Sequence, residues 1–250
     1  MVDFSFQLYS ARNFVPLASL FPKLKALGYA HVEGYGGLYG DARDLASALK
    51  ASGLSMPTGH FGLDQLEDIP ATLKIAEQLG IKTLVCPFVP PAQRSPDKAG
   101  WVALAQTLNR LCAAYAKEGL KFGWHNHDFE FLPLKSGEYP LDLLLEGAPE
   151  TVWQADIAWI VRAGEDPAEW IERYGNRIAS VHVKDIAPQG QNLDEDGWAD
   201  VGEGVLDWQA LFFAIRQHSS CTSFVMEHDN PGDVERFASR SIAAANRLWS

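Results

Sequence analysis

Basic residues are scarce in this chain: 21 Lys and Arg stand against 32 Asp and Glu, a formal charge of −11. Each phosphate contact to a nucleic acid needs a Lys or Arg, so this balance argues against a nucleic-acid partner. Cysteine is almost missing as well. Cys86, Cys112 and Cys221 are odd in number and share no metal-binding spacing, and they read as reduced, buried small residues of a cytosolic protein. No apolar stretch approaches the ~20 residues of a membrane span. The opening MVDFSFQLYS runs straight into a strand, without a basic n-region or an apolar h-region, so a cytoplasmic protein with no membrane partner is expected. No GxGxxG follows that first strand, which weakens a dinucleotide-binding reading. Linkers and low-complexity tracts are absent too. A length of 250 residues is that of one α/β barrel, so residues 1–250 are expected to form a single domain.

What is present is an internal grammar. KALGYAHVE, KASGLSMPTGH, EQLGIKTLV and AKEGLKFGWH each run from a helix end through Gly and an apolar residue into a strand. Gly28, Gly53, Gly80 and Gly119 stand where a helix C′ position calls for left-handed backbone. The segments before them are amphipathic, as in Leu17–Leu27 and Leu104–Ala116. Eight strands are expected at Phe4–Tyr9, His31–Glu33, Ser55–His60, Thr83–Phe88, Lys121–His127, Val152–Asp156, Ile178–Lys184 and Ser223–Glu227. Strands alternating with helices at this period imply βαβ units and a (β/α)8 TIM barrel, whose active site lies at the strand C-termini. Two stretches, Leu132–Glu150 and Ala187–Asp207, exceed a simple βα connection and are expected to cover that face.

Four apolar runs carry a metal-capable side chain late in their length: FGWHNH with His125, VWQAD with Asp156, IASVHVKD with His182 and SFVMEHD with Glu227. One histidine at a strand end usually satisfies a hydrogen bond and nothing more. Four such groups at the ends of neighbouring parallel strands converge on one mouth of the barrel. Their mixed nitrogen and carboxylate character suits one divalent ion, Mn²⁺, Zn²⁺ or Co²⁺.

Strand parity adds a second tier. His127 lies two residues past His125, and Lys184 two past His182, so each pair faces the same way. A lysine inside a barrel is either paired or working. Asp185 is its candidate partner, or the cap of the next segment. Other strand ends offer Gln7 and Tyr9, Glu33, and His60 in TGHFG. Glu33 reads as a solvated carboxylate or a site residue, and His60 as a site residue or a satisfied core histidine. Trp124, Trp153 and Trp159 flank the ligand positions; core packing is the default for them, and Trp159 is the one expected on a pocket wall. His31, His218 and His228 are expected to be structural, on the surface, or behind the ligands.

The motifs QLYSAR (7–12), GHFG (59–62), WHNHDFEF (124–131), HVKD (182–185), VGEGVLDW (201–208) and MEHD (226–229) resemble the xylose isomerase-like TIM-barrel superfamily, with its sugar phosphate isomerases and epimerases. The resemblance runs from strand 1 to strand 8, and HVKD followed by GEGxxDW is its most specific element. It implies one divalent ion held at the ends of strands 5 to 8, here His125, Asp156, His182 and Glu227. Many epimerases of the superfamily carry Glu-Asn-His where this chain has His125-Asn126-His127. That leaves open whether His125, Glu33 or a water completes the ion's shell, and it removes one of the usual two carboxylate bases. The implied activity is isomerisation or epimerisation of a sugar or keto-sugar by proton abstraction beside an ion-polarised carbonyl. Glu227, Lys184, His127 and Glu33 are the expected acid–base groups, and His60, Tyr9 and Trp159 the expected substrate contacts. A dehydratase or lyase acting on a keto-sugar or keto-inositol is the alternative. An endonuclease of the superfamily and a non-catalytic sugar-binding barrel are less favoured. A homo-oligomer is compatible with the sequence.

Overall fold

The computed structural model describes residues 2–14 and 16–249. Eight parallel strands close into a barrel in the order β1-β10-β7-β6-β5-β4-β3-β2, with β2 pairing back onto β1. They are β1 (Phe4–Gln7), β2 (His31–Gly34), β3 (Ser55–His60), β4 (Thr83–Cys86), β5 (Lys121–His125), β6 (Val152–Asp156), β7 (Ile178–Val183) and β10 (Phe224–Met226). Helices lie between them, so the fold is a (β/α)8 TIM barrel. All four glycines of the repeat have positive φ, from 72° at Gly53 to 101° at Gly28. A side chain there would strain the turn that hands each helix to its strand.

Several strands end earlier than their apolar runs. In β1 the Gln7 side chain accepts the Tyr9 backbone N–H at 3.0 Å, and the chain winds into a 3-10 turn over Leu8–Ala11. Tyr9 therefore sits on that turn rather than in the strand. His127, Lys184 and Glu227 likewise lie one or two residues past the last paired position of their strands. Lys184 and Glu227 stay buried past the ladder, while His127 is half-buried and Tyr9 exposed. Of the two long connections, Leu132–Glu150 contains the helix Pro140–Gly147, the ordinary helix of its βα unit. Ala187–Asp207 places Trp198 4.7 Å from the Lys184 ammonium but puts no residue on the wall of the cavity described below. It follows β8 (Asp185–Ile186) and contains its antiparallel partner β9 (Trp198–Ala199). No described helix is long and apolar enough to cross a membrane.

Candidate metal centre and active site

His125, Asp156, His182 and Glu227 converge. One ligand atom from each lies within 4.8 Å of every other, and all four residues are buried. Sheet register explains the meeting. Asp156 on β6 pairs with His182 on β7, and His182 pairs with Val225, two residues before Glu227. The central Asn126 of His125-Asn126-His127 ties this edge together. Its Oδ1 accepts from the Asp156 backbone N–H at 3.0 Å and from Trp153 Nε1 at 2.8 Å, and its Nδ2 donates to the Asp156 carbonyl at 3.0 Å. The outward amide thus locks β5 to β6 while both histidines face in, with ring centroids 5.0 Å apart.

The donor set suits a divalent cation. Among the described residues His125 Nδ1 and Asp156 Oδ2 are buried with no hydrogen-bond partner, the latter having only ion-pair contacts with Lys184 at 3.0 Å and His182 Nδ1 at 3.9 Å. Burial and the surrounding His182, His127 and His60 rings hold His125 well below the ordinary histidine range, so its lone pair is free to ligate. Burial works against charge on His182 too. Glu227, 2.8 Å from Nδ1, and Glu33, 2.7 Å from Nε2, outweigh it and raise that ring to about 10. Burial opposes ionisation of Glu227, yet Lys184 and His182 hold it well below the carboxylate range.

A cavity of about 330 Å³ opens onto this cluster, lined by His60, His125, His127, Glu227, Asp229 and, toward its rim, Tyr9, Tyr35 and Phe88. Of the expected site residues, His60, His127 and Tyr9 are on its wall, while Glu33, Lys184 and Trp159 are not. Glu33 lies behind the wall with no exposed surface, accepting from Gln7, His182 and Gln154. Lys184 is caged by Asp156, Glu227 and Asp229 at 2.9–3.0 Å, with its ammonium 5.3 Å from the Trp159 ring and 4.7 Å from that of Trp198. Burial of Lys184 disfavours its charge, and the three carboxylates override this to hold it protonated.

Asp185 is not the partner of Lys184. Its two oxygens accept the backbone N–H groups of Ile186, Gly202, Gly204 and Leu206, closing the 187–207 segment down like a clasp. A Cβ on Gly204 would collide with that carboxylate, which explains a glycine in the GEG motif. The same segment is pinned from the other side by Arg236, which donates to both oxygens of Glu195 at 2.8 Å and pairs with Asp200 at 3.0 Å.

Sequence reasoning passed over Gln154 and Asp229. Each lies two residues from a candidate ligand on the same strand or its extension, so parity alone pointed at both. Asp229 is pushed up to about 6 by burial, against the pull of Lys184.

Residues 21–248 match the family described as xylose isomerase-like TIM barrel. The chain belongs to that family. An inosose dehydratase of Clostridium botulinum is 32% identical over 133 residues, which cover 48% of this chain and 44% of that protein. The chain thus spans under half the length of the curated relatives it matches. Among solved structures, a sugar phosphate isomerase/epimerase from Parabacteroides distasonis superposes with a TM-score of 0.83 at 19% identity, covering 100% of this chain and 96% of that one. The IOLI protein with a bound zinc atom superposes at 0.74 with 15% identity, covering 98% and 96%. At such identities the likeness is one of fold.

Proposed function

We propose that this protein is a divalent-metal-dependent enzyme that removes the proton beside the carbonyl of a small, unphosphorylated keto-sugar or keto-polyol, and that elimination of water follows. The observation that carries the reading is the convergence of His125, Asp156, His182 and Glu227 within 4.8 Å of one another, with His125 and Glu227 opening onto the cavity. Those four residues would hold the ion, Mn²⁺, Zn²⁺ or Co²⁺, which when bound supplies Lewis-acid polarisation of the carbonyl. Glu227, kept ionised by Lys184 and His182, is the base. Asp229 shares the Lys184 ammonium and faces the same cavity, which makes it the donor to a departing hydroxyl. His60 and His127 orient substrate hydroxyls, and Tyr9, Tyr35 and Phe88 offer flat faces to the carbon skeleton. Among the described residues no Lys or Arg lines the cavity, which favours an uncharged substrate over a phosphorylated one.

Both cavity carboxylates arise from the segment after β10, and the groups contributed by β3 and β5 are imidazoles. A base and an acid on one side support elimination, and the inosose dehydratase relatives agree with that branch. Return of the proton, giving isomerisation or epimerisation, is the second reading and shares the first step. Incubation of the metal-loaded protein with keto-sugars, keto-inositols and their phosphates in D₂O tests both. A new enone absorbance indicates dehydration, whereas deuterium incorporation without loss of water indicates isomerase or epimerase. Absence of any C–H exchange across the panel would overturn the enzymatic reading.

A further inference from the structure

His182 can offer an ion either of its two nitrogens, and something must choose. The choice is legible from a chain of hydrogen bonds that begins outside the candidate site. The Tyr9 backbone N–H is a donor only, and it lies 3.0 Å from Gln7 Oε1. That fixes the Gln7 amide with Nε2 turned inward, donating to Glu33 Oε1 at 2.8 Å. On the other oxygen, Gln154 Nε2 donates to Glu33 Oε2 at 2.7 Å, and Gln154 Oε1 faces His60 Nε2 at 2.5 Å. Glu33 is therefore enclosed by donors in the barrel interior, with His60 Nε2 also 3.2 Å from Oε1. A carboxylate so surrounded is an acceptor. His182 Nε2, 2.7 Å from Oε1, must then carry a hydrogen.

We propose that Glu33 is a positioning residue: it fixes the His182 tautomer and ring plane so that Nδ1, not Nε2, is presented to the ion. The inference rests on the ligand set of the preceding section. Its geometry is consistent on both sides of the ring, because Nδ1 lies 2.8 Å from Glu227 Oε2 and 3.9 Å from Asp156 Oδ2, the two carboxylate ligands. Glu33 stands on the opposite side and touches neither the cavity nor any ligand except His182 and its donors. It is thus neither the missing base nor a replacement for His125. A carboxylate behind a metal-bound imidazole also makes the ring a stronger donor, and loss of such a partner typically weakens metal affinity by roughly 10–100-fold. The sheet delivers the arrangement cheaply: Gln7, Glu33 and Thr58 are register partners on β1, β2 and β3, so Gln7 and Glu33 enter the interior at one level.

The test is Co²⁺ titration of metal-stripped wild type, Glu33→Gln and Asp156→Asn, read by affinity and by the visible Co²⁺ spectrum, with ¹⁵N-histidine NMR of the Zn²⁺-loaded wild type. Wild type should take one equivalent. Glu33→Gln should bind roughly 10–100-fold more weakly with the same spectral envelope, since no ligand has been lost. Asp156→Asn should lose tight binding altogether. In the NMR spectrum His182 should be protonated at Nε2 and coordinated through Nδ1. Wild-type affinity in Glu33→Gln, or a changed Co²⁺ envelope that marks Glu33 as a direct ligand, overturns the inference alone. Asp156→Asn binding as tightly as wild type overturns the ligand set beneath it. Should Glu33→Gln fail to fold, coordination through Nε2 in wild type suffices to overturn the proposal.

Discussion

Glu33 inside the barrel and Glu130 behind β5 are equally buried, and their surroundings treat charge in opposite ways. Burial raises both carboxyls. Around Glu33 the His60 and His182 rings reverse that and hold it far below the carboxylate range. Glu130 accepts from Trp124 Nε1 at 3.0 Å and the His127 backbone N–H at 2.9 Å, and burial prevails over these donors and the more distant Arg94, pushing it up to about 8. Backbone and indole donors satisfy a carboxyl's lone pairs; imidazolium and ammonium groups are what keep it ionised. The interior of this barrel concentrates such cations beside its carboxylates, with His182 between Glu33 and Glu227 and Lys184 among Asp156, Glu227 and Asp229. The wall behind it does not.

The strongest way to break this contrast is to remove the ring that serves both sides. His182→Ala should lower ion affinity by more than about 100-fold, beyond the loss usual for an outer-shell partner. It should also cost about 3–5 kcal/mol of stability, since Glu33 keeps its burial and loses one of the two imidazole rings that hold its charge. Isothermal titration with Zn²⁺, urea denaturation and far-UV circular dichroism check this together. A variant that folds as stably as wild type would mean that His182 does not balance Glu33.

Lys184→Met asks the same question of the second cation, with a smaller net effect because an added ion can take its place. Asp156, Glu227 and Asp229 would face one another without the ammonium, and in metal-stripped protein this should cost about 3 kcal/mol. Saturating Zn²⁺ should restore much of that loss in urea denaturation. Equal destabilisation with and without Zn²⁺ would locate the role of Lys184 in packing beneath Trp159 and Trp198 instead.

How far the sequence foretold this arrangement depends on the distance over which each signal acts. The left-handed glycines, the helix–strand alternation and the four runs that carry the candidate ligands are local patterns, and the barrel and the converging quartet follow from them. Apolar runs outlast the ladder by one to two residues because Lys184 and Glu227 stay buried where pairing has stopped, and because Tyr9 and Phe88 are aromatic though exposed. The Glu33–His182 pair spans 149 positions, and no local pattern joins Glu33 in HVEG to His182 in HVKD. Trp198 is a similar case: its place over Lys184 depends on the Asp185 clasp and the antiparallel β8–β9 pair, a tertiary return that periodicity does not encode. Lys184 was legible as a buried lysine needing a partner, but the cage that supplies three was not.

Glu130→Gln should give the smallest effect and sharpen the contrast from its uncharged side. With a native value of about 8 against an ordinary 4.5, native Glu130 holds a proton that the unfolded chain has already released across that window. The native state binds more protons there, so this group's contribution to stability falls as pH rises from 4.5 toward 8. Glutamine cannot ionise and removes the slope. Its single oxygen can satisfy only one of the Trp124 and His127 donors, which adds an offset of about 1–3 kcal/mol at every pH. The informative quantity is therefore the change in the difference between variant and wild type, from urea denaturation at about pH 5 and about pH 8, where each pH unit is worth about 1.4 kcal/mol. The variant should gain on wild type by roughly 2 kcal/mol or more over that interval. Parallel curves would show that Glu130 is ionised in the native state, and that the two donors do for it what His60 and His182 do for Glu33.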